Sequence, residues 1–351
     1  MTENKRLNYA DMAKSIAILI IVFYHLAAPG IISTICTHMA PSVLAIFFFF
    51  SGYFYRSGKR SLIENVKLRA AALIIPFFKY SLIFWLIGTV YLVVTKTAPF
   101  IETLCCLRNF FGGCIWNRTI QAWFYWEYYS LGKRYIFLAD FWFLPALFFA
   151  SLLFFPIADK TLHSKTKTFT AIIILFAVTG IMRSCGVSLP YNFQLVPFWA
   201  AFLLLGAFAG CNGLFEIKNL SVKTEWLAAI AALSCGIIIS MQIEPSVNVF
   251  RGFFAASHNE AVSMLLYLIS SILVIWGLGE ICKLAESAGA RISELAWLGS
   301  HTMTIYIYHM FIAWLLSIIT GCALHSLLLS CAVLIICAAI AIVTDRITNR
   351  S

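Results

Sequence analysis

The sequence predicts an all-α, polytopic integral membrane protein with about ten transmembrane helices, and three observations carry that prediction. Apolar residues make up 62% of the chain and charged residues 11%, where soluble domains average about half and about a quarter. Several apolar runs approach or exceed the ~20 residues that cross a bilayer. Basic residues also segregate between alternate connections: sixteen, from Lys5 and Arg6 to Arg346 and Arg350, fall on one side. Seven fall on the other, namely Lys96, Arg108, Arg118, Lys133, Arg134, Arg183 and Arg251. That bias sets orientation, so the formal charge of +10 is a topology signal and a nucleic-acid partner is excluded as its explanation.

The predicted spans are 10–28, 40–56, 70–94, 141–157, 169–183, 194–211, 226–242, 261–282, 299–319 and 323–343. The first follows Lys5 and Arg6 like the core of a secretory leader, but Asp11, Lys14 and His25 do not suit a cleaved apolar core. It is therefore read as a retained helix. The second closes on FFFFSGYFY, and the third follows the basic stretch that includes Lys59, Arg60, Lys67 and Arg69. The fourth opens on FWFLPALFF, the fifth is the shortest, and Gly206 and Gly210 give the sixth a notch for helix packing. The ninth carries SHTMTIYIYHMF, and the tenth leads into DRITNR. An even count with this charge bias puts both termini on the cytoplasmic side of the cell membrane.

The longest connection, 95–140, is rich in Trp and Tyr, which suits the headgroup level. It reads either as an interfacial belt or as a lid over a bound acceptor. Cys105, Cys106 and Cys114 lie in it and could pair. The eleven cysteines show no CxxC pair and no Cys/His cluster of zinc spacing, so no metal site is expected.

The first span holds the chemistry. Lys14 and His25 are eleven residues apart, which at 100° per residue returns to nearly the same helix face, ~16 Å further along the axis. An ionisable group inside a bilayer is costly and marks a functional path. His25 has the range for proton transfer, Asp11 reads as a charge partner for Lys14, and Tyr306 with His309 share a face of the ninth span. His301 reads as a helix-end residue.

Taken together, these landmarks resemble the membrane acyltransferase-3 family. Lys14 and His25 are similar to the Arg/Lys-x10-His of its first helix, and Asp11 with Lys14 gives the D-x-A-K form of the fucose 4-O-acetylase-like branch. Ser51-Gly52 resembles the end of the family's second helix, Lys67, Arg69 and Pro76 its basic third-helix start, and Trp142 with Pro145 its WFLxxL segment. Ser300, Tyr306 and His309 resemble its late S-x(5)-Y-x-x-H helix. Lys14 stands where many members have Arg, and His301 where a smaller or aliphatic residue is expected.

The resemblance implies an O-acyltransferase in one membrane-embedded domain over residues 1–351. It would move an acyl group, in the first place acetyl, from acyl-CoA to a hydroxyl of a cell-envelope carbohydrate or lipid-linked sugar. His25 would be the general base or a transient acyl carrier, with His309 as the second catalytic residue. Asp11, Lys14, Ser51, Gly52, Lys67, Arg69 and Tyr306 would bind substrates. No bound cofactor is implied; acetyl-CoA or another acyl-CoA is a co-substrate, and the bilayer is the remaining partner. A transporter of a small anion or acylated metabolite would also place Lys and His inside a bundle. Missing internal repeats and few acidic residues within spans weigh against it.

Overall fold

A computed structural model describes residues 8–26, 30–95, 141–185, 187, 190–215, 221–242, 260–289, 293–321 and 326–348. Most of the aromatic connection, with its three cysteines, lies outside them. Among the described residues there is no strand, and ten helices are long and apolar enough to cross a membrane. The chain is an all-α, multi-pass membrane protein. We number its helices α1 (Asn8–Leu26), α2 (Ile31–Tyr53), α3 (Leu62–Arg69), α4 (Ile75–Val94), α5 (Phe143–Thr161), α6 (Lys165–Ser184), α7 (Val196–Cys211), α8 (Val222–Met241), α9 (Glu260–Ser287), α10 (Ser293–Ser300), α11 (Thr302–Thr320) and α12 (Leu327–Thr348).

Every expected span has a helical counterpart, and two begin two turns or more before the apolar pattern indicates. α2 starts at Ile31 rather than 40, through Ser33, Thr34, Thr37 and His38. Thr34 Oγ1 satisfies itself along this stretch of helix by donating to the Gly30 carbonyl at 3.0 Å. The third span starts at Leu62 rather than 70. Ser61 and Glu64 form a reciprocal capping box there, which fixes a helix start among polar residues. One wide turn, Ala70–Ile74, joins α3 to α4 just before Pro76. Proline lacks the N–H that would bond back one turn, and a local widening of the helix accommodates that loss.

The helices gather into two compact units, Met1–Ser51 with Asn212–Ser351, and Gly52–Cys211. In the second, α7 packs on α5 and α6, meeting α6 through a buried cluster of Phe176, Phe198, Trp199 and Phe202. Gly52 presses on α7: a Cβ added there would stand 1.9 Å from the Leu203 carbonyl oxygen. The turn after α2 is tied to α5, because Asp159 Oδ1 accepts from the Tyr55 hydroxyl at 2.6 Å and from Ser57 at 2.7 Å. Burial first, and then Asp159, push the Tyr55 phenol above its usual range.

The first unit is built on two associations. α8 and α9 share the most extensive interface, made close by Gly236 and Gly277, which admit the facing helix nearly to backbone contact. Three buried hydroxyls join α2 to this pair. Ser42 lies 2.7 Å from Ser240 and 2.6 Å from Ser270, with Ser240 and Ser270 2.8 Å apart. Ser270 also donates to the Gly236 carbonyl at 3.0 Å. Nearby, Tyr267 donates its hydroxyl proton to the carbonyl of Pro41, the proline inside α2.

The second association surrounds α1, which packs against α9, α10, α11 and α12. Its first turn lacks N–H partners of its own. Glu286 of α9 supplies acceptors, taking hydrogen bonds from Asn8 Nδ2 at 3.0 Å and from the Tyr9 N–H at 3.2 Å. α10 lies against the start of α1: Ser15 donates to the Leu295 carbonyl, and a Cβ at Gly299 would stand 1.7 Å from the Asp11 carbonyl oxygen. α11 ends at Gly321, whose φ of +66° closes the helix in the left-handed conformation that glycine adopts freely.

Candidate active site

The first unit brings Asp11, Lys14, His25, Tyr306 and His309 into one framework, α1 with α10 and α11. At the start of α1, Lys14 Nζ meets Asp11 Oδ1 at 2.6 Å. The carboxylate side is almost enclosed, at 6% exposure, and the ammonium is at 22%. Asp11 thus anchors the pair inside while Lys14 reaches the more open side. An i,i+3 spacing places both on one face of the helix.

His25 sits three turns further on, half-buried. Its ring centroid lies 5.5 Å from that of His309 and 4.8 Å from that of Tyr24. Tyr306 stands 6.2 Å from His309. The sequence placed His25 and His309 on helices 284 positions apart; the contact between α1 and α11 makes them neighbours.

The hydrogen bonds of His309 assign its tautomer. Nδ1 lies 3.1 Å from the Ile305 carbonyl and 2.9 Å from the Tyr306 carbonyl. Carbonyl oxygens only accept, so Nδ1 carries the proton. In the neutral ring Nε2 is then a bare lone pair. That nitrogen is buried and has no hydrogen-bond partner among the described residues. Leaving a polar atom so costs about 1–3 kcal/mol, and such an atom is where a substrate hydroxyl, a water or a neighbouring N–H gains most.

The remaining expected site residues are placed as follows. Ser51 is half-buried near the end of α2. Gly52, Lys67 and Arg69 belong to the second unit, where Gly52 meets Leu203, Lys67 is exposed on α3 and Arg69 half-buried.

Three features escaped the sequence reading. Glu280 and Lys283 form a second buried pair on α9, 2.6 Å apart, with the same spacing and the same order of burial as Asp11 and Lys14. Because the end of α9 meets the start of α1 and the helices pack together, they run antiparallel. Each pair therefore lies one to two turns in from the same contact. The i,i+3 spacing was the available signal. Glu286 as a remote cap had no signal. Neither had the group at Trp297, Ser300, His301 and Asp345, which the aspartate joins only once α12 has folded back.

The fold is thus all-α and multi-pass, and its first unit holds a pair of histidines on neighbouring membrane helices. A family model described as "Acyltransferase domain" (Acyl_transf_3) matches residues 7–346. The chain belongs to the acyltransferase-3 family and is a membrane acyltransferase. Comparison with curated proteins and with solved structures gives no match.

Proposed function

We propose that the chain is a single-domain O-acyltransferase that moves an acyl group, in the first place acetyl, from acyl-CoA to a hydroxyl of a cell-envelope carbohydrate or lipid-linked sugar. The reading is carried by one observation, the His25–His309 ring pair with a buried Nε2 on His309 that has no hydrogen-bond partner among the described residues. A sugar hydroxyl is a poor nucleophile and must lose its proton as it attacks.

His25 is the base. It takes the hydroxyl proton as the oxygen bonds to the thioester carbonyl carbon. The tetrahedral oxyanion collapses with cleavage of the carbon–sulfur bond, and His25 returns its proton to the leaving thiolate. The products are an ester and free CoA. His309, with Nδ1 committed to backbone carbonyls, presents Nε2 as an acceptor that orients His25 or the acceptor hydroxyl. Tyr306 lines the same face.

The donor enters from the cytoplasmic side, where both termini lie in the cell membrane, and its phosphates meet Lys14. Its flexible arm then spans the ~16 Å to His25, and the acceptor arrives from the outer leaflet. Lys14 is a point charge rather than a fork, suited to a phosphate contact without bidentate geometry. Lys67, Arg69, Ser51 and Gly52 are substrate-binding residues on this reading, and Asp11 orients Lys14. The D-x-A-K form supports kinship with the fucose 4-O-acetylase-like branch.

The test uses membranes carrying wild type or His25→Ala, given acetyl-CoA labelled in the acetyl group. Saponifiable label should enter a glycan or lipid-linked sugar fraction with wild type and vanish with the variant at equal protein level. Equal labelling by both would remove His25 from the chemistry.

A further inference from the structure

α10 and α11 are separated by one residue, His301, whose backbone (φ −108°, ψ 16°) leaves the helical conformation. The two helices seat different parts of α1. α10 touches Asp11 and Ser15, and α11 carries His309 to His25. The angle at His301 therefore relates the two ends of the candidate site.

That break is held from a distant helix. Asp345 of α12 lies with Oδ1 2.9 Å from His301 Nε2 and accepts from Trp297 Nε1 at Oδ2, 3.3 Å away. On the other edge of the imidazole, Nδ1 lies 2.8 Å from the Trp297 carbonyl and 2.9 Å from Ser300 Oγ. The Ser300 hydroxyl donates its own proton to the Trp297 carbonyl at 2.7 Å, so toward His301 it can only accept. The indole and imidazole rings pack at 4.5 Å between centroids. Among the described residues, every atom facing the two ring nitrogens is thus an acceptor, and the full set of bonds needs an N–H on both.

We propose that His301 and Asp345 form a proton-dependent clamp that fixes the α10–α11 break and thereby positions His309 against His25. With both nitrogens protonated the clamp is complete. Loss of one proton sets a lone pair against either the Asp345 carboxylate or the Trp297 carbonyl, and one contact opens. Among the described residues, the charged groups of the packed elements are Asp11 and Lys14 on α1, Glu294 on α10, and Asp345 and Arg346 on α12. On α9, which packs against α1, Glu286 accepts from Asn8 and the Tyr9 N–H, and Glu280 pairs with Lys283. His301 and Asp345 are positioning residues on this proposal, which rests on the acyl-transfer reading only for its effect on turnover.

Asp345→Asn separates the clamp from simple packing. A carboxamide can donate from its nitrogen to a neutral His301 Nε2 while its oxygen still accepts from Trp297 Nε1. The variant clamp is complete with the ring neutral and broken with it protonated, so its pH order is the inverse of the native one. Purified full-length wild type, Asp345→Asn and His301→Ala are melted from about pH 5 to about pH 9, the range that brackets histidine titration. The difference in melting temperature between wild type and Asp345→Asn should favour wild type at the acid end and shrink or reverse at the alkaline end. A difference independent of pH overturns the clamp.

Labelled acetyl transfer reads the positioning half: His301→Ala should lower turnover roughly threefold to thirtyfold with KM for the donor little changed. Unchanged turnover overturns it. If wild type transfers no acyl group at all, the functional reading fails, and the melting curves still decide the clamp.

Discussion

Gly299→Ala tests whether backbone contact between α10 and α1 sets the site. The added Cβ would stand 1.7 Å from the Asp11 carbonyl oxygen and 2.4 Å from its carbonyl carbon. Both are backbone atoms that cannot rotate aside. Ordinary contact begins at 3.4 Å, so α10 must retreat by about 1.7 Å, a large displacement against a close-packed interior. Overpacking of this kind costs about 1–3 kcal/mol, and loss of the Ser15 bond to the Leu295 carbonyl adds about 1 kcal/mol. The variant should therefore lose about 2–4 kcal/mol of stability. It should also lose on the order of 100-fold in acyl transfer, the usual cost of a misplacement of about 1 Å in a catalytic arrangement. Thermal melting and labelled acetyl transfer are read together. The control is Gly289→Ala, where φ is +74° and, chain neighbours aside, no atom of a described residue lies within 4 Å of the new Cβ. That change strains one residue by about 1–2 kcal/mol and moves no helix, so it should transfer acetyl normally. If Gly299→Ala melts and labels like wild type, α10 is not seated on α1 as described.

Three further predictions follow from single contacts. His309→Phe should not lower the melting temperature, because removing a buried nitrogen with no partner among the described residues offsets the lost Nδ1–H donation to the Ile305 and Tyr306 carbonyls, and it should abolish acetyl transfer; a variant that retains transfer would show that Nε2 is not used. Lys14→Ala takes the ammonium from a nearly enclosed carboxylate, and breaking such a buried pair costs about 3–5 kcal/mol. The double variant Asp11→Asn with Lys14→Met should recover most of that stability without activity, and failure to recover would count against a coupled pair. The Tyr55 phenol is held above its ordinary value of 10. Above that pH the unfolded chain releases a proton the folded chain keeps, so stability is present below pH 10 and lost as pH rises further. Tyr55→Phe should flatten that alkaline slope in melting curves, and an unchanged slope would place its origin elsewhere.

The ten spans were legible because hydropathy is a local property and the bilayer sets its length. Starts were less so. The third span begins in SLIE, a capping-box pattern that an apolar window passes over because Glu64, Lys67 and Arg69 dilute it. The Asp11–Lys14 pair was legible from its spacing, and so was the common face of Tyr306 and His309. The approach of His25 to His309 depended on which helices become neighbours, and hydropathy carries nothing of that. The same holds for Gly299 against Asp11, and for His301, whose carboxylate partner lies 44 positions away. A helix-end histidine looks the same in sequence whether or not a later helix brings it an aspartate.

The dependence of α1 on late segments has a consequence for biogenesis. α1 leaves the ribosome long before its packing partners α9 to α12, and α10 begins at Ser293. At about 5–20 residues per second, that interval lasts roughly 15–50 s. Throughout it, Asp11 and Lys14 have each other but neither Gly299 nor the seat that α10 provides. An internal ion pair formed within a single turn needs no distant chain, and so it is suited to carry a charged helix through that wait in the translocation machinery or in lipid. Nascent chains arrested before α10 should therefore be the species that membrane chaperones and proteases capture, and weakening the Asp11–Lys14 pair should lengthen their exposure before the full-length bundle closes.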